Sequence, residues 1–77
     1  MGARAGLSID PSLSALLCRR DDILLAGFHT GRVYSLRDGT VNVVAEGFTN
    51  PTALASDGSG GVLVINFGSG SIGRILP

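Results

Sequence analysis

The chain has little of what small proteins use to stabilise themselves or to perform chemistry. Among its 77 residues there is one cysteine and one histidine, and there is no tryptophan or lysine. A single cysteine, Cys18, excludes a disulfide within the chain, and one imidazole without further thiols does not make a zinc site. Because Cys18 lies in an apolar run, we expect it to be buried and unreactive.

An excess of charge of either sign is also missing. Six arginines are balanced by six acidic residues, so the sequence has neither the basic patch of a nucleic-acid-binding protein nor an acidic tail. No apolar run reaches the ~20 residues of a membrane-spanning helix, and none resembles the apolar part of a signal peptide. We therefore expect a soluble chain with no nucleic-acid or membrane partner, in a compartment that the sequence leaves open.

Helical periodicity is the third absence. No segment keeps apolar residues at i, i+3, i+4 and i+7 for three turns, and 12 glycines are spread along the chain. Short apolar or alternating runs separated by turn residues occur instead, and the Asp-Gly pair at 38–39 is a strong hairpin signal. We expect strands at residues 13–18, 23–28, 32–36, 40–46, 52–56, 62–67 and 71–76.

This strand pattern occurs twice. A shift of 39 residues, from position 21 to position 60, aligns segment 21–36 with segment 60–75. Three pairs are identical: Leu24 with Leu63, Phe28 with Phe67 and Gly31 with Gly70. An Asp-Pro pair at 10–11 and an Asn-Pro pair at 50–51 match only at a shift of 40. That difference predicts one extra residue in the first turn of the first repeat.

The length and content of the repeat favour a β-propeller. Four strands with short connections form an up-and-down meander, and repeats of about 40 residues built this way are typical of propeller blades. The second strand of each repeat, ILLAGF or VLVINF, is apolar almost throughout, as in a strand buried on both faces. We predict one all-β domain over 1–77 with two antiparallel blades. The first repeat spans about 10–49 and the second about 50–77, where the second blade is one strand short.

The sequence resembles the passage between adjacent blades of NHL-repeat and SMP-30/gluconolactonase-like propellers, which have six blades. The residues that carry the resemblance are GRVYSL, DGTVNVVAEGF, NPTALA, DGSGGVLV and the closing RI. It covers residues 10–77, nearly the whole chain. The resemblance implies the propeller fold, and it indicates blades more specifically than it indicates any activity.

Enzymes of the resembled family bind a divalent metal at the mouth of the central channel, with carboxylate and asparagine ligands from several blades. This chain departs from that pattern. It has Thr52 where the family commonly has asparagine after the inter-blade proline, and Gly27 and Asn66 where the family often has aspartate. Since a hard cation prefers six or more oxygen ligands, we predict no cofactor and no catalytic residue. A site for a metal such as calcium remains the alternative.

The order of strands places one candidate binding surface. In a meander, the turns at 29–31, 47–51 and 68–70 share one end of the sheets, and the hairpins at 19–22, 37–39 and 57–61 lie at the other. Related propellers bind ligands at the first end. The candidate ligand-binding residues at that end are His29, Thr30, Arg32, Asn50, Asn66 and Ser69.

Two blades do not close a ring, and their outer apolar faces would be exposed. We therefore expect assembly with copies of the same chain, three being favoured and four the alternative, because propellers have four to eight blades. Residues 1–6 align with the fourth strand of the first repeat and are expected to complete the second blade of a neighbour.

The leading interpretation is a non-catalytic, self-assembling propeller module that binds a small ligand or a protein partner. The alternatives are an SMP-30-like metal-dependent lactonase or hydrolase assembled from several chains, and a propeller fragment without a function of its own.

Overall fold

The computed structural model describes residues 6–77, and within that range it contains seven β-strands and no helix. The strands are β1 (Leu13–Cys18), β2 (Ile23–Gly27), β3 (Val33–Arg37), β4 (Thr40–Ala45), β5 (Pro51–Ser56), β6 (Val62–Asn66) and β7 (Ser71–Ile75). Each predicted strand is present, with its ends within one residue of the prediction. The strand expected at 1–6 falls outside the described residues, apart from Gly6, which is not in a strand.

The strands form two antiparallel sheets. The first sheet has the order β1-β2-β3-β4 and the second has the order β5-β6-β7. The prediction of an all-β chain with one four-stranded and one three-stranded meander is therefore confirmed. In the described residues, no helix is long and apolar enough to span a membrane.

The hairpin between β3 and β4 follows from its two turn residues. Arg37 pairs with Thr40, so that only Asp38 and Gly39 connect the strands. Both have positive φ, 50° for Asp38 and 76° for Gly39. Positive φ at both positions is the geometry that matches the twist of the flanking strands, and it is why Asp-Gly is favoured there.

The first strands of the two repeats match at a shift of 38, because Leu13 lies opposite Gly27 and Pro51 lies opposite Asn66. The turn between the first and second strands has four residues (19–22) in the first sheet and five (57–61) in the second. The predicted extra residue in the first turn of the first repeat is therefore wrong. The two prolines are not equivalent, because Pro11 lies in a turn and Pro51 is the first residue of β5. Proline is compatible with both positions.

The counterpart of Asn50 is consequently Ser12 and not Asp10. The backbone NH of Phe28 donates to the Ser12 carbonyl (2.8 Å), and the backbone NH of Phe67 donates to the Asn50 carbonyl (3.1 Å). At the same shift of 38, the position of Asp10 corresponds to Phe48 in the loop between the sheets.

The hydrophobic core lies between the two sheets. The first sheet contributes Leu24, Ala26 and Val33, and the second contributes Val62 and Val64. β5 packs against β1 and β2, and the Ser14 hydroxyl donates to the Pro51 carbonyl across the gap (2.6 Å).

The two sheets contact each other through non-equivalent faces. Side chains alternate between the faces of a strand, so a difference of one position changes the face. At the shift of 39, Leu24 and Ala26 correspond to Leu63 and Ile65, and not to the core residues Val62 and Val64. The two sheets therefore face the same way, with equivalent faces directed towards the same side of the stack.

Each sheet has two faces, which we call the forward face and the rear face. The forward face of each sheet carries Leu24, Ala26 and Val33 in the first repeat, and Leu63, Ile65 and Ile72 in the second. The rear face carries Leu16, Ile23, Leu25 and Tyr34 in the first repeat, and Leu54, Val62, Val64 and Gly73 in the second. The core is the forward face of the first sheet against the rear face of the second.

The stacking explains two departures from the expectations. Cys18 is exposed, so its expected burial is wrong; it pairs with Ile23 and lies on the rear face of the first sheet, which the other sheet of residues 6–77 does not cover. The second strand is well buried in the first sheet, as expected, but in the second sheet Ile65 is 47% exposed. Within the part of the chain that the structure describes, its forward face has no neighbouring sheet.

Candidate functional site

Three turns meet at one end of the stacked sheets, and we call this surface the loop end. It consists of residues 28–32, 46–50 and 67–70. The backbone NH of Phe48 donates to the Gly31 carbonyl (3.1 Å), and the backbone NH of Gly68 donates to the Thr49 carbonyl (3.2 Å). The loop between the sheets is thus hydrogen-bonded to the turn on either side.

Gly31 allows this close approach. Its φ is 70°, and a Cβ at this position would clash with the Phe48 carbonyl oxygen. Only glycine combines a left-handed backbone with the space that the neighbouring loop needs. The loop end is therefore built on a backbone contact that a side chain would disrupt.

Two of the predicted binding residues brace the loops. The side-chain amide of Asn50 donates to the Phe28 carbonyl (3.1 Å), which connects the second repeat to a turn of the first. Asn66 is buried; its Oδ1 accepts the backbone NH of Thr49 (3.0 Å), and its amide lies 3.4 Å from the Ser71 hydroxyl. Both amides therefore make hydrogen bonds inside the protein that fix the loops.

The other four predicted residues are exposed at the loop end. The His29 ring packs edge-on against Phe28, at 5.1 Å between centroids. The Ser69 hydroxyl is 2.7 Å from the Ser71 hydroxyl. Arg32 is 3.6 Å from the Glu46 carboxylate, and both side chains are at least half exposed, so that this ion pair is weak. Thr30 differs, because its hydroxyl points into a buried cluster.

That cluster is centred on Asp10, which is buried. One carboxylate oxygen accepts the backbone NH (2.8 Å) and the hydroxyl (2.6 Å) of Ser12. The other accepts the hydroxyls of Thr30 (2.7 Å) and Tyr34 (2.7 Å). A carboxylate has about four acceptor sites, so this one is saturated, and it acts as a brace more readily than as a ligand.

The hydrogen bonds of Asp10 favour its charged form. The Ser12 hydroxyl is the largest contributor, and the Thr30 hydroxyl, the Ser12 backbone and Tyr34 add to it, so the pKa of Asp10 lies far below its usual range. The sequence around Asp10 predicts only a turn and no site residue. The Asp-Pro-Ser turn was a visible local signal, but the bond to Tyr34, 24 positions away, was not.

The cluster also compensates for a difference between the repeats. In the second sheet, the ring of Phe48 lies where a Cβ on Gly73 would be. In the first sheet the counterparts are Tyr34 and Asp10, joined by a hydrogen bond. In the second repeat the large residue is in the loop (Phe48) and the small one is on the strand (Gly73). In the first repeat the large residue is on the strand (Tyr34), and its hydrogen-bonded pair with Asp10 fills the equivalent space.

The opposite end of the sheets is held by two aspartates. Asp22 accepts hydrogen bonds from Nε (2.6 Å) and Nη2 (2.7 Å) of Arg19 and from the Ser35 hydroxyl (2.5 Å). The Arg19 hydrogen bonds, followed by the Ser35 bond, lower the pKa of Asp22 to about 2. A shallow depression beside this turn is lined by residues of both signs, Arg19, Arg20, Asp21, Asp22 and Arg37.

Asp57 organises the corresponding turn of the second sheet. It accepts the backbone NH groups of Ser59 (2.8 Å) and Gly61 (3.0 Å) and pairs with Arg74 (2.7 Å). The Ser59 backbone bond is the largest of the causes that lower the pKa of Asp57 to about 2.

Within residues 6–77, no three or more His, Cys, Asp or Glu side chains are grouped so as to hold a metal ion. The oxygen of Asn66 already accepts a backbone NH, and Gly27 has no side chain to supply a ligand, so the side-chain donors present do not fit the metal site of the resembled enzymes. No protein-family model, curated protein or solved structure matches this chain.

Proposed function

We propose that this chain is a non-catalytic β-propeller module of the NHL/SMP-30 type, which assembles with copies of itself and binds a small molecule or a protein partner at the loop end. The observation that carries the proposal is the same-sense stacking of the two sheets. A forward face packs on a rear face, and both faces exist in each repeat. Such a heterologous contact can be repeated by rotation until a ring closes.

A simple two-layer sandwich accounts for the arrangement less well. A chain that needed only two layers would leave the outer faces polar, because water solvates them. Here both outer faces retain exposed leucine or isoleucine, with Leu16 at 59% and Ile72 at 69%. Apolar residues on both faces of both sheets suit a sheet that has neighbours on either side.

The loop end supports the binding part of the proposal. Its turns are fixed by hydrogen bonds between repeats, so the backbone positions that carry its exposed side chains are in place before a ligand arrives. His29, Arg32 and Ser69 are the exposed groups that would contact a ligand, and Thr30, Asn50 and Asn66 keep the turns in place. An imidazole, a guanidinium and a hydroxyl together favour a ligand rich in hydrogen-bond acceptors.

Native mass in solution tests the assembly. Light scattering on a size-exclusion column should give three or four times the chain mass of 7.8 kDa, which corresponds to six or eight blades. A folded monomer at every concentration would contradict the proposal.

Binding is tested by amide NMR spectra during titration with a library of small polar fragments. We expect shifts at the amides of His29 and Ser69, and none at the hairpin of Asp38 and Gly39, which lies at the opposite end. Shifts confined to that hairpin, or no shifts with any fragment, would remove the loop end from the proposal.

A further inference from the structure

The forward face of the second sheet is an exposed counterpart of a surface that is buried elsewhere in the same chain. In the first sheet Leu24, Ala26 and Val33 are 1%, 0% and 0% exposed. The corresponding Ile65 and Ile72 in the second sheet are 47% and 69% exposed. The backbone positions are equivalent, and the difference in exposure follows from the missing neighbour.

The rear face of the first sheet shows the complementary relation in part: Leu25 and Tyr34 are buried there (8% and 6%), and its exposed residues include Leu16 and Cys18. Leu16 is 59% exposed, whereas its counterpart Leu54 packs against the core. Ile23 is half-buried, whereas its counterpart Val62 is 1% exposed. One chain thus presents a forward face at one side and a rear face at the other, and these are the two kinds of face that already pack together inside it.

We propose that the forward face of the second sheet docks onto the rear face of the first sheet of a second copy of this chain, in the geometry of the internal interface. This inference rests on the self-assembly in the proposed function and names its surfaces. The occupant is a second copy because each chain carries both halves of the interface, and the intramolecular contact shows that such halves fit.

The shape of the forward face identifies where the partner inserts. A depression of about 140 Å³ on the second sheet is lined by Ala53, Leu54, Ala55, Leu63, Ile65 and Ile72. It exists because Ala55 stands where the first sheet has Leu17. An aliphatic side chain from the rear face of the partner fits an apolar depression of this kind, and the most exposed of these is Leu16.

A pair of complementary variants tests the docking. Ile65→Asp places a charge on the forward face, and Leu16→Asp places one on the rear face. Both side chains are exposed in the single chain, so each variant should fold, as checked by circular dichroism. Each should be monomeric alone, because a buried unpaired charge prevents docking.

An equimolar mixture of the two variants should recover association. The Leu16→Asp chain keeps an intact forward face and the Ile65→Asp chain keeps an intact rear face, so one docking contact can form and no ring can close. Light scattering over a concentration series should give a mass twice that of either variant alone. An affinity tag on one variant should retain the other.

The controls separate this inference from the proposal beneath it. Thr40→Asp alters an exposed residue beside the Asp38–Gly39 hairpin, outside both docking faces, and Ile65→Val keeps the forward face apolar; both should assemble like the wild-type chain. Loss of assembly in Ile65→Asp alone, with no mixed dimer, would mean pairing through two identical faces and would overturn the inference. Wild-type assembly in both charged variants would overturn it too, and a monomeric wild-type chain would overturn the proposed self-assembly itself.

Discussion

Single buried polar residues in this chain hold loops to sheets. The Asp10 carboxylate accepts hydrogen bonds from Ser12, from Thr30 in a turn and from Tyr34 on β3. The side-chain oxygen of Asn66 accepts the backbone NH of Thr49 in the loop between the sheets. No buried side-chain nitrogen or oxygen among the described residues lacks a hydrogen-bond partner. Because an unsatisfied buried polar group is costly, removing one donor from a saturated group reveals what that donor contributes.

Tyr34→Phe removes the only phenol donor of the Asp10 cluster. Tyr34 is buried whereas Thr30 is exposed, so water can replace the lost donor in Thr30→Val more easily than in Tyr34→Phe. We expect Tyr34→Phe to lower the free energy of unfolding more than Thr30→Val, as measured by urea denaturation. Equal effects would mean that water reaches both sides of the carboxylate.

Acid should destabilise the fold through the three braced aspartates. The pKa values of Asp22 and Asp57 are lowered to about 2, and that of Asp10 lies lower still, whereas an unfolded aspartate has a pKa of about 3.9. The unfolded chain therefore binds more protons between these values. The stabilisation is complete above about pH 5 and is lost progressively as the pH falls through 4 towards 2.

Urea midpoints at pH 7, 4 and 2.5 measure this effect. The double variant Asp22→Asn with Asp57→Asn should start from a lower midpoint and lose less between pH 4 and 2.5, since two of the titrating groups are gone. A wild-type midpoint that stays constant down to pH 2.5 would contradict the role of these carboxylates.

The positions of the candidate residues could be predicted from the sequence, and their roles could not. Turn order alone places His29, Asn50 and Ser69 at one end, because a meander alternates its connections. The engagement of Asn50 with the Phe28 carbonyl depends on how two sheets stack, which is not encoded in any local pattern. Asp10 was missed for the same reason, since its buried partner Tyr34 lies on a distant strand.

At the scale of strands and turns, a glycine of the loop end can be required for two reasons: its positive φ, and a lack of room for a side chain. Gly31 and Gly70 occupy corresponding turns with φ of 70° and 65°. A Cβ at Gly31 would meet the Phe48 carbonyl, whereas one at Gly70 would meet nothing within 4 Å. The two positions form a natural comparison of strain with and without a clash.

Gly70→Ala should cost about 1–2 kcal/mol in unfolding free energy, which is the penalty of an alanine in left-handed backbone. Gly31→Ala should cost more, because the loop between the sheets must also move. Thermal and urea unfolding of both variants give the comparison, and an NMR shift at the Phe48 amide should accompany only Gly31→Ala. Equal losses would show that the inter-repeat contact adapts freely.

The strands could be predicted because turn residues mark where they end. Turn pairs such as Asp38 and Gly39 mark a hairpin by their φ requirements, and apolar runs end at glycine-rich turns. What failed was the comparison of the two repeats at their first strand, where proline at position 11 precedes the strand and Pro51 begins it. The predicted burial of Cys18 was wrong, because the residue pattern of a strand does not show which of its faces packs against another sheet.

A divalent metal should leave the stability of the loop end unchanged. Asn66 occupies the sequence position where the resembled enzymes often have aspartate, and its side-chain oxygen already accepts the Thr49 amide. A bound ion would stabilise the native state by linkage. Thermal unfolding with calcium or zinc against chelator should therefore give the same midpoint, and a rise of several degrees that Asn66→Ala abolishes would favour the metal-dependent alternative.

At the scale of the whole molecule, apolar surface is distributed as if the stack continued. A chain of this size buries a modest share of its surface, and exposed leucine and isoleucine lie on both outer faces. Docking of forward on rear faces would bury both, and the energy of the fold would then include contacts between copies.

Stability should for that reason depend on protein concentration. Because association favours the folded state by mass action, the midpoint of thermal unfolding of the wild-type chain should rise when the concentration is increased a hundredfold. Leu16→Asp, which blocks the rear face, should unfold at a lower temperature that does not change with concentration, whereas Thr40→Asp should retain the dependence. A wild-type midpoint independent of concentration would mean that the single chain is the folding unit, and that its exposed faces serve something other than a second copy.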